Sequence, residues 1–357
     1  MYLAPLNYDR FFKKIFSDKQ IAKQFLEDFL EVTITSIERL PLQQRVTDEA
    51  AVVEFDYRCK IDGAYVIIDM QQWYKPDIVQ RFYLYHALNS GLQLESLPQS
   101  VYIYNRVAQT MMEARDYRRL EPVLTLIWLV DDTLSFKEDY VAYTMAPELV
   151  LKFIENGELW HSPTIKKLQQ EREKVLAVVQ NKSKDLDFLR RNRLVFMLQK
   201  NIVKQQEGQR YERWFEFAEK SRQTENESAD FDDFRGDDIF EKMIRRLKKE
   251  ALTEDDLIYI VTEQEMWEKA AYIREEGIEE GMAKGIEKGM QKGIEKGMQK
   301  GIEEGMAKGM QKGAKEGEQR KAREIAQQLL VFMDDRAIAQ TTGLTAAEVQ
   351  QMRRSIV

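Results

Sequence analysis

The stretch Val52–Gln72, VVEFDYRCKIDGAYVIIDMQQ, restricts the fold of this chain more than any other, because strand periodicity, turn chemistry and clustered carboxylates coincide in it. Val53, Phe55, Tyr57, Cys59 and Ile61 alternate with Glu54, Asp56, Arg58 and Lys60, the two-residue period of a half-buried strand. Asp62-Gly63 stands between two apolar runs and suits a two-residue type I′ turn, in which both central residues take positive φ. A β-hairpin is expected. Pairing Ile61 with Ala64 sets its register, which places Asp56 opposite Asp69 and Glu54 opposite Gln71, all four on one face.

Directly opposed side chains have Cβ atoms roughly 4.5–5.5 Å apart, and like charges so placed repel. A positive group is therefore expected between Asp56 and Asp69. Mg²⁺ is a natural candidate, since it binds through one or two carboxylates and completes its shell with water and substrate phosphate; another divalent cation would serve the same geometry. The other reading is an exposed polar face on which Arg58, Lys60 or Arg81 neutralises the acids unaided.

Asp56, a glycine-containing turn and Asp69-Met70-Gln71 at the end of the next strand resemble the D…(D/E)xQ signature of the recombination-promoting nuclease and putative transposase family, within the PD-(D/E)XK nuclease superfamily. Asp9–Phe16, DRFFKKIF, is similar to the opening DxxFKxIF helix of that family, and the resemblance extends to Arg81 with Tyr85 and to a C-terminal repeat with glycine at every fourth residue. It implies an α/β fold of the PD-(D/E)XK type, a mixed sheet flanked by helices, and a Mg²⁺-dependent DNA endonuclease. By the same resemblance Asp56 and Asp69 hold the metal, Gln71 positions the attacking water or a phosphate oxygen, and Asp9, Arg81 and Tyr85 support the site; Glu54, which faces Gln71 in the hairpin register, is expected to orient it. Two departures matter. Asp69 stands where the family usually has Glu, and Gln71 takes the place of the superfamily's lysine without its charge. The competing expectation is a catalytically weak DNA-binding or assembly protein that keeps the nuclease fold.

Arg81 and Tyr85 are four residues apart and share a helix face, from which they either steady a phosphate or pack and pair with Glu54. Asp9 has a second reading as an N-cap. Cys59, the one cysteine, fits a small buried hydrophobe on the inner face of the first strand and leaves no internal disulfide to form. With two histidines, a His-rich zinc site is excluded, and the net charge of −7 confines any nucleic-acid surface to a local patch. The opening residues MYLAPLNYDRFF lack the pattern of a signal peptide and no run of about 18 apolar residues occurs, so a cytoplasmic protein without membrane contact is expected.

A chain of 357 residues exceeds the size at which one core stops growing. Four regions are expected: a nuclease-like domain over 1–160, a helical region over 161–276, the glycine repeat over 277–317 and a helical segment over 318–357. In the first, helices are expected at Asp9–Phe16, Lys19–Leu30, Ile78–Leu92 and Val101–Arg115. Strands are expected at Val32–Leu40, at Val123–Val130 and, at an edge, Tyr140–Met145. In the second, Lys182–Lys204 reads as a helix whose basic residues either face a phosphate backbone or simply meet solvent, and the acidic run Thr224–Asp238 reads as a mobile loop. Thr253 with Asp256 resembles a capping box.

Glycine recurs eleven times from Gly277 to Gly317, each costing about 1 kcal/mol relative to alanine in a helix, so this helix should be weak alone. Four residues advance a helix by about 400°, so the stripe drifts in the right-handed sense and offers either a surface for homo-oligomer formation or a spacer. Beyond it Gln319–Phe332 reads as an amphipathic helix. Asp334–Gln340 and Thr345–Arg354 read as two helices around Gly343, with Thr345 and Glu348 as a capping box; the arrangement is either a DNA-reading helix-turn-helix or an ordinary helical hairpin.

Overall fold

The computed structural model describes residues 1–45, 52–73, 75–98, 101–105, 107, 109–161, 164–180 and 184–355. Helices α1 (Asp9–Phe16) and α2 (Lys19–Leu30) precede strands β1 (Ile37–Arg39), β2 (Gln43–Arg45), β3 (Val52–Glu54), β4 (Tyr57–Ile61) and β5 (Ala64–Gln71). Then come α3 (Ile78–Gly91), β6 (Val101–Asn105), β7 (Thr110–Ala114), β8 (Val123–Leu129) and β9 (Tyr140–Thr144). Helices α4 (Glu148–Glu155), α5 (Gly157–His161), α6 (Ile165–Val179) and α7 (Lys184–Arg191) lead into β10 (Arg193–Leu198). The chain ends in α8 (Gln199–Gln205), α9 (Glu212–Arg222), α10 (Asp238–Leu247), α11 (Glu254–Leu329), α12 (Asp335–Thr342) and α13 (Ala346–Arg354). Met1–Glu265 form one compact unit and Met266–Val357 a second.

The first unit is an α/β fold around a mixed six-stranded sheet of order β1-β4-β5-β8-β10-β9. Strands β5, β8 and β10 run parallel, and β1, β4 and β9 complete the sheet in antiparallel pairs. Parallel strands must be covered on both faces, which is why AYVIID, VLTLIWL and LVFML are nearly unbroken apolar runs. Ile127, Leu129, Phe196 and Leu198 meet Ile78 and Phe82 of α3 on one face. On the other, Trp128 packs against Phe12 of α1, Phe25 of α2 and Phe215 of α9. Asp69 and Gln71 are in register with Ile127 and Leu129, so they project on the α3 side at the carboxyl end of β5. Cys59 is fully buried, and burial pushes its thiol up to about 12.

Several elements differ from expectation. Where a helix was expected over Val101–Arg115, the described residues hold the antiparallel pair β6 and β7, because VYIY alternates β-branched and aromatic residues that prefer a pleated surface to a helix. The strand expected over Val32–Leu40 shrinks to the three-residue edge strand β1. Lys182 lies outside the described residues, and the rest of the supposed basic helix breaks into α7, β10 and α8, since the apolar run LVFML is claimed by the sheet. Its cations are dispersed: Arg190 binds Asp187, Arg191 donates to the Gly63 carbonyl and Lys200 pairs with Asp131. Nor is the acidic run a loose loop. Phe231 and Phe234 drive it into a 3-10 turn packed on Phe217 and Phe240. The Asp237 side chain caps α10.

Helix α11 carries the whole glycine repeat, and Gln319–Phe332 is not a separate helix but largely its last turns. Thr253 and Asp256 exchange hydrogen bonds at its start, as a capping box requires. In the second unit Ala326 and Leu330 form a small core with Ile338 of α12, Val349 of α13 and Leu344 of the turn between them. Gly343 takes φ of 73° between them, and the Thr345–Glu348 box opens α13. Arg353 is spent internally, on Asp335 and on the carbonyls of Leu330 and Met333. Among the described residues no helix is long and apolar enough to cross a membrane.

Candidate metal centre

The hairpin has the expected register, from Ile61↔Ala64 to Tyr57↔Ile68. Its turn differs: Gly63 takes φ of 71° but Asp62 keeps a negative φ, so this is not a type I′ turn. The cause is a side-chain anchor, because the Asp62 carboxylate accepts from the backbone and hydroxyl groups of both Thr35 and Ser36. At the open end the ladder stops one pair before Asp56 and Asp69. Asp56 replaces the next rung with its side chain, accepting the Met70 N–H on Oδ2 at 2.9 Å. Gln71 Nε2 donates to Asp69 Oδ1 at 2.9 Å and to the Met70 carbonyl at 2.8 Å, which fixes the amide beside the acid.

Asp56 and Asp69 are 9% and 3% exposed. Burial is the largest influence on both. It pushes Asp56 well above the usual carboxylate range, assisted by the charges of Asp69 and Asp9 and opposed by the Met70 N–H and Lys13. Asp69 is pushed up to about 6 by burial, against the pull of Arg81 and the Gln71 amide.

Glu54 is not opposite Gln71. It belongs to β3, which leaves the hairpin to pair with β2, so that Glu54 faces Gln43. Its carboxylate instead binds Lys13 Nζ at 3.0 Å. Lys13 also lies 3.1 Å from Asp9 Oδ2 and 3.5 Å from Asp56 Oδ1, so one ammonium joins an acid of its own helix to two acids of the segment that leads into β4. Asp9 is thus a partner of the site's lysine and not the helix cap; Tyr8 occupies the N-cap position. The sequence reading overlooked Lys13. Its signal was the four-residue spacing from Asp9, which puts an acid and a base on one helix face.

Arg58 and Lys60 do not serve the acids either, because Arg58 donates to Asn89 and Lys60 pairs with Glu121. Arg81 lies over the rings of Phe82 and Tyr85, and its Nε is buried with no hydrogen-bond partner. It does not pair with Glu54, whose acceptors are taken by Lys13 and Gln43. Tyr85 stands edge-on to Phe55 and Phe82, and its phenol is held above its ordinary range by burial and by Asp69.

Four carboxylates, Asp9, Glu54, Asp56 and Asp69, face two cations, Lys13 and Arg81. If all were ionised, two negative charges would remain, the amount that one divalent cation would neutralise. Among the described residues no group of three His, Cys, Asp or Glu side chains forms a metal cage. What the site offers is a pair of buried carboxylates, the donor set from which Mg²⁺ is bound with water and phosphate as its other ligands. No family model matches the sequence, and no curated protein or solved structure matches it either.

Proposed function

We propose that the chain is a Mg²⁺-dependent DNA endonuclease of the PD-(D/E)XK type, related to the recombination-promoting nucleases, which hydrolyses a phosphodiester bond at the open end of the β4–β5 hairpin. The observation that carries this reading is the buried Asp56 and Asp69 pair, held at the end of a rigid sheet without enough positive charge around it. Asp56 and Asp69 would hold the metal. When bound, a divalent ion lowers the pKa of a coordinated water and offsets charge on the phosphate.

The remaining roles belong to the chain. Both Gln71 amide hydrogens are used, on Asp69 and on the Met70 carbonyl, so its Oε1 is the end left to accept a hydrogen from the attacking water. Of the two tasks foreseen for Gln71, orienting water suits this geometry and donating to a phosphate oxygen does not. The partnerless Nε of Arg81 is a buried donor in want of an acceptor, and a phosphate oxygen is one. DNA is the expected partner, and self-association through the repeat of α11 would join two such sites.

Nicking of supercoiled plasmid with and without Mg²⁺ tests the reading. Metal-dependent nicking that is lost in Asp69→Asn supports it. The second reading, a DNA-binding or assembly protein with negligible turnover, is favoured by Lys13, which already compensates part of the acidic charge. DNA binding without nicking would decide for it.

A further inference from the structure

We infer that Lys13 is the resident cation of this site: it holds Asp56 when no metal is bound, and a divalent ion that takes Asp56 turns it toward the substrate phosphate. The inference rests on the metal-dependent reading above. Its ground is the position of one ammonium. Nζ has three hydrogens and three carboxylates around it, Glu54 at 3.0 Å, Asp9 at 3.1 Å and Asp56 at 3.5 Å. The contact with Asp56 is the longest. It is also the one made to a buried acid, whereas Asp9 and Glu54 are half-exposed.

The backbone under Lys13 cannot follow a moving charge, because Phe11, Phe12, Ile15 and Phe16 bury the other face of α1. Movement is confined to the flexible four-carbon stem. A divalent ion on Asp56 and Asp69 would lie beside Nζ, and the two cations repel. Nζ therefore withdraws to Asp9 and Glu54, which keep it at the exposed rim of the site where an anionic backbone arrives. Lys13 thus lowers the affinity for metal in the absence of DNA and supplies the positive charge that Gln71 lacks once DNA is present.

The test is Mn²⁺ binding to the full-length chain at pH 8 without DNA, read from the electron paramagnetic resonance of free Mn²⁺, for the parent, Lys13→Gln, Lys13→Arg and Asp69→Asn. Lys13→Gln should bind Mn²⁺ at least tenfold more tightly than the parent and yet nick plasmid at least tenfold more slowly. Lys13→Arg keeps the charge and grips a carboxylate with two parallel N–H groups, so its affinity should equal the parent's or fall below it. Equal or weaker Mn²⁺ binding by Lys13→Gln overturns the inference and leaves the metal site standing, provided that Asp69→Asn abolishes binding. If Lys13→Gln does not fold, tighter binding by Lys13→Arg overturns it. No Mn²⁺ binding by the parent ends both the inference and the reading beneath it.

Discussion

Asp69 is a carboxyl group placed where its protonated form is favoured, and that has a consequence for stability. Between the ordinary Asp value of about 4 and its raised value of about 6, the folded chain keeps a proton that the unfolded chain has released. Stability therefore falls as pH rises through this window and stays reduced above it. Asp69→Asn cannot ionise and keeps an acceptor for Gln71, so in metal-free buffer it should exceed the parent by about 2 kcal/mol at pH 8 and match it near pH 4. Urea denaturation at the two pH values checks this, and a loss of stability at pH 8 would mean that the carboxylate is better compensated than its burial implies. Asp56→Ala and Asp69→Ala should each abolish metal-dependent nicking while remaining folded, by circular dichroism, in the absence of metal. Undiminished nicking by either would remove both acids from the site. If Gln71 acts by orientation as proposed, Gln71→Ala should lower the nicking rate and Gln71→Lys should keep or raise it; equal rates would make it a bystander. At this scale Asp56, Asp69 and Gln71 were legible because a hairpin register is simple arithmetic once the turn is found. Lys13 was legible only in its four-residue spacing from Asp9, because its other partners Glu54 and Asp56 reach it from 41 and 43 positions along the chain, a juxtaposition that no local period encodes.

Elements were readable where one period dominated and misleading where two signals competed. The buried strand β8 and the hairpin of β4 and β5 follow from their patterns, whereas β6 and β7 were hidden by methionines and charges that also suit a helix. The acidic run near residue 230 was misjudged because seven carboxylates outweighed Phe231 and Phe234 in the count, although two buried aromatic rings decide the packing. Helix α11 makes the competition quantitative. Its eleven glycines cost on the order of 10 kcal/mol in propensity, and the nine Ile and Met residues that follow them, Ile278 to Met310, are all more than half exposed. A Cβ added at Gly285, Gly289 or Gly293 would meet no neighbouring atom. The triple alanine variant should therefore raise the melting temperature of the helix, gaining up to about 3 kcal/mol in all. If the glycines serve close approach between copies, the same variant should associate more weakly, because the added methyl groups hold two backbones apart. Circular dichroism with sedimentation velocity separates the two effects. Stronger helix and unchanged association would leave the glycines without a role in assembly.

Across the whole molecule the order of the sheet was the least legible property, since its fifth strand in spatial order, β10, comes from residues 193–198, beyond the point at which the sheet was expected to be complete. Strand order depends on which apolar runs find each other in three dimensions, and a run such as LVFML reads equally well as part of a buried helix. The same scale governs assembly. One site of the kind proposed cuts one strand, so cutting both strands at one place requires two copies of the first unit. A repeat too weak in propensity to be stable alone, with an unbroken winding row of exposed Ile and Met, gains most by pairing with another copy of itself. Deleting residues 277–317 should therefore leave metal binding and single-strand nicking as they are in the full chain, while lowering the oligomeric state and any double-strand cutting. Light scattering of the two proteins, run beside a plasmid assay that resolves nicked from linear product, checks both halves. If the masses per particle agree after allowance for the deleted residues, the repeat is a spacer and the two-site account of double-strand cutting fails with it.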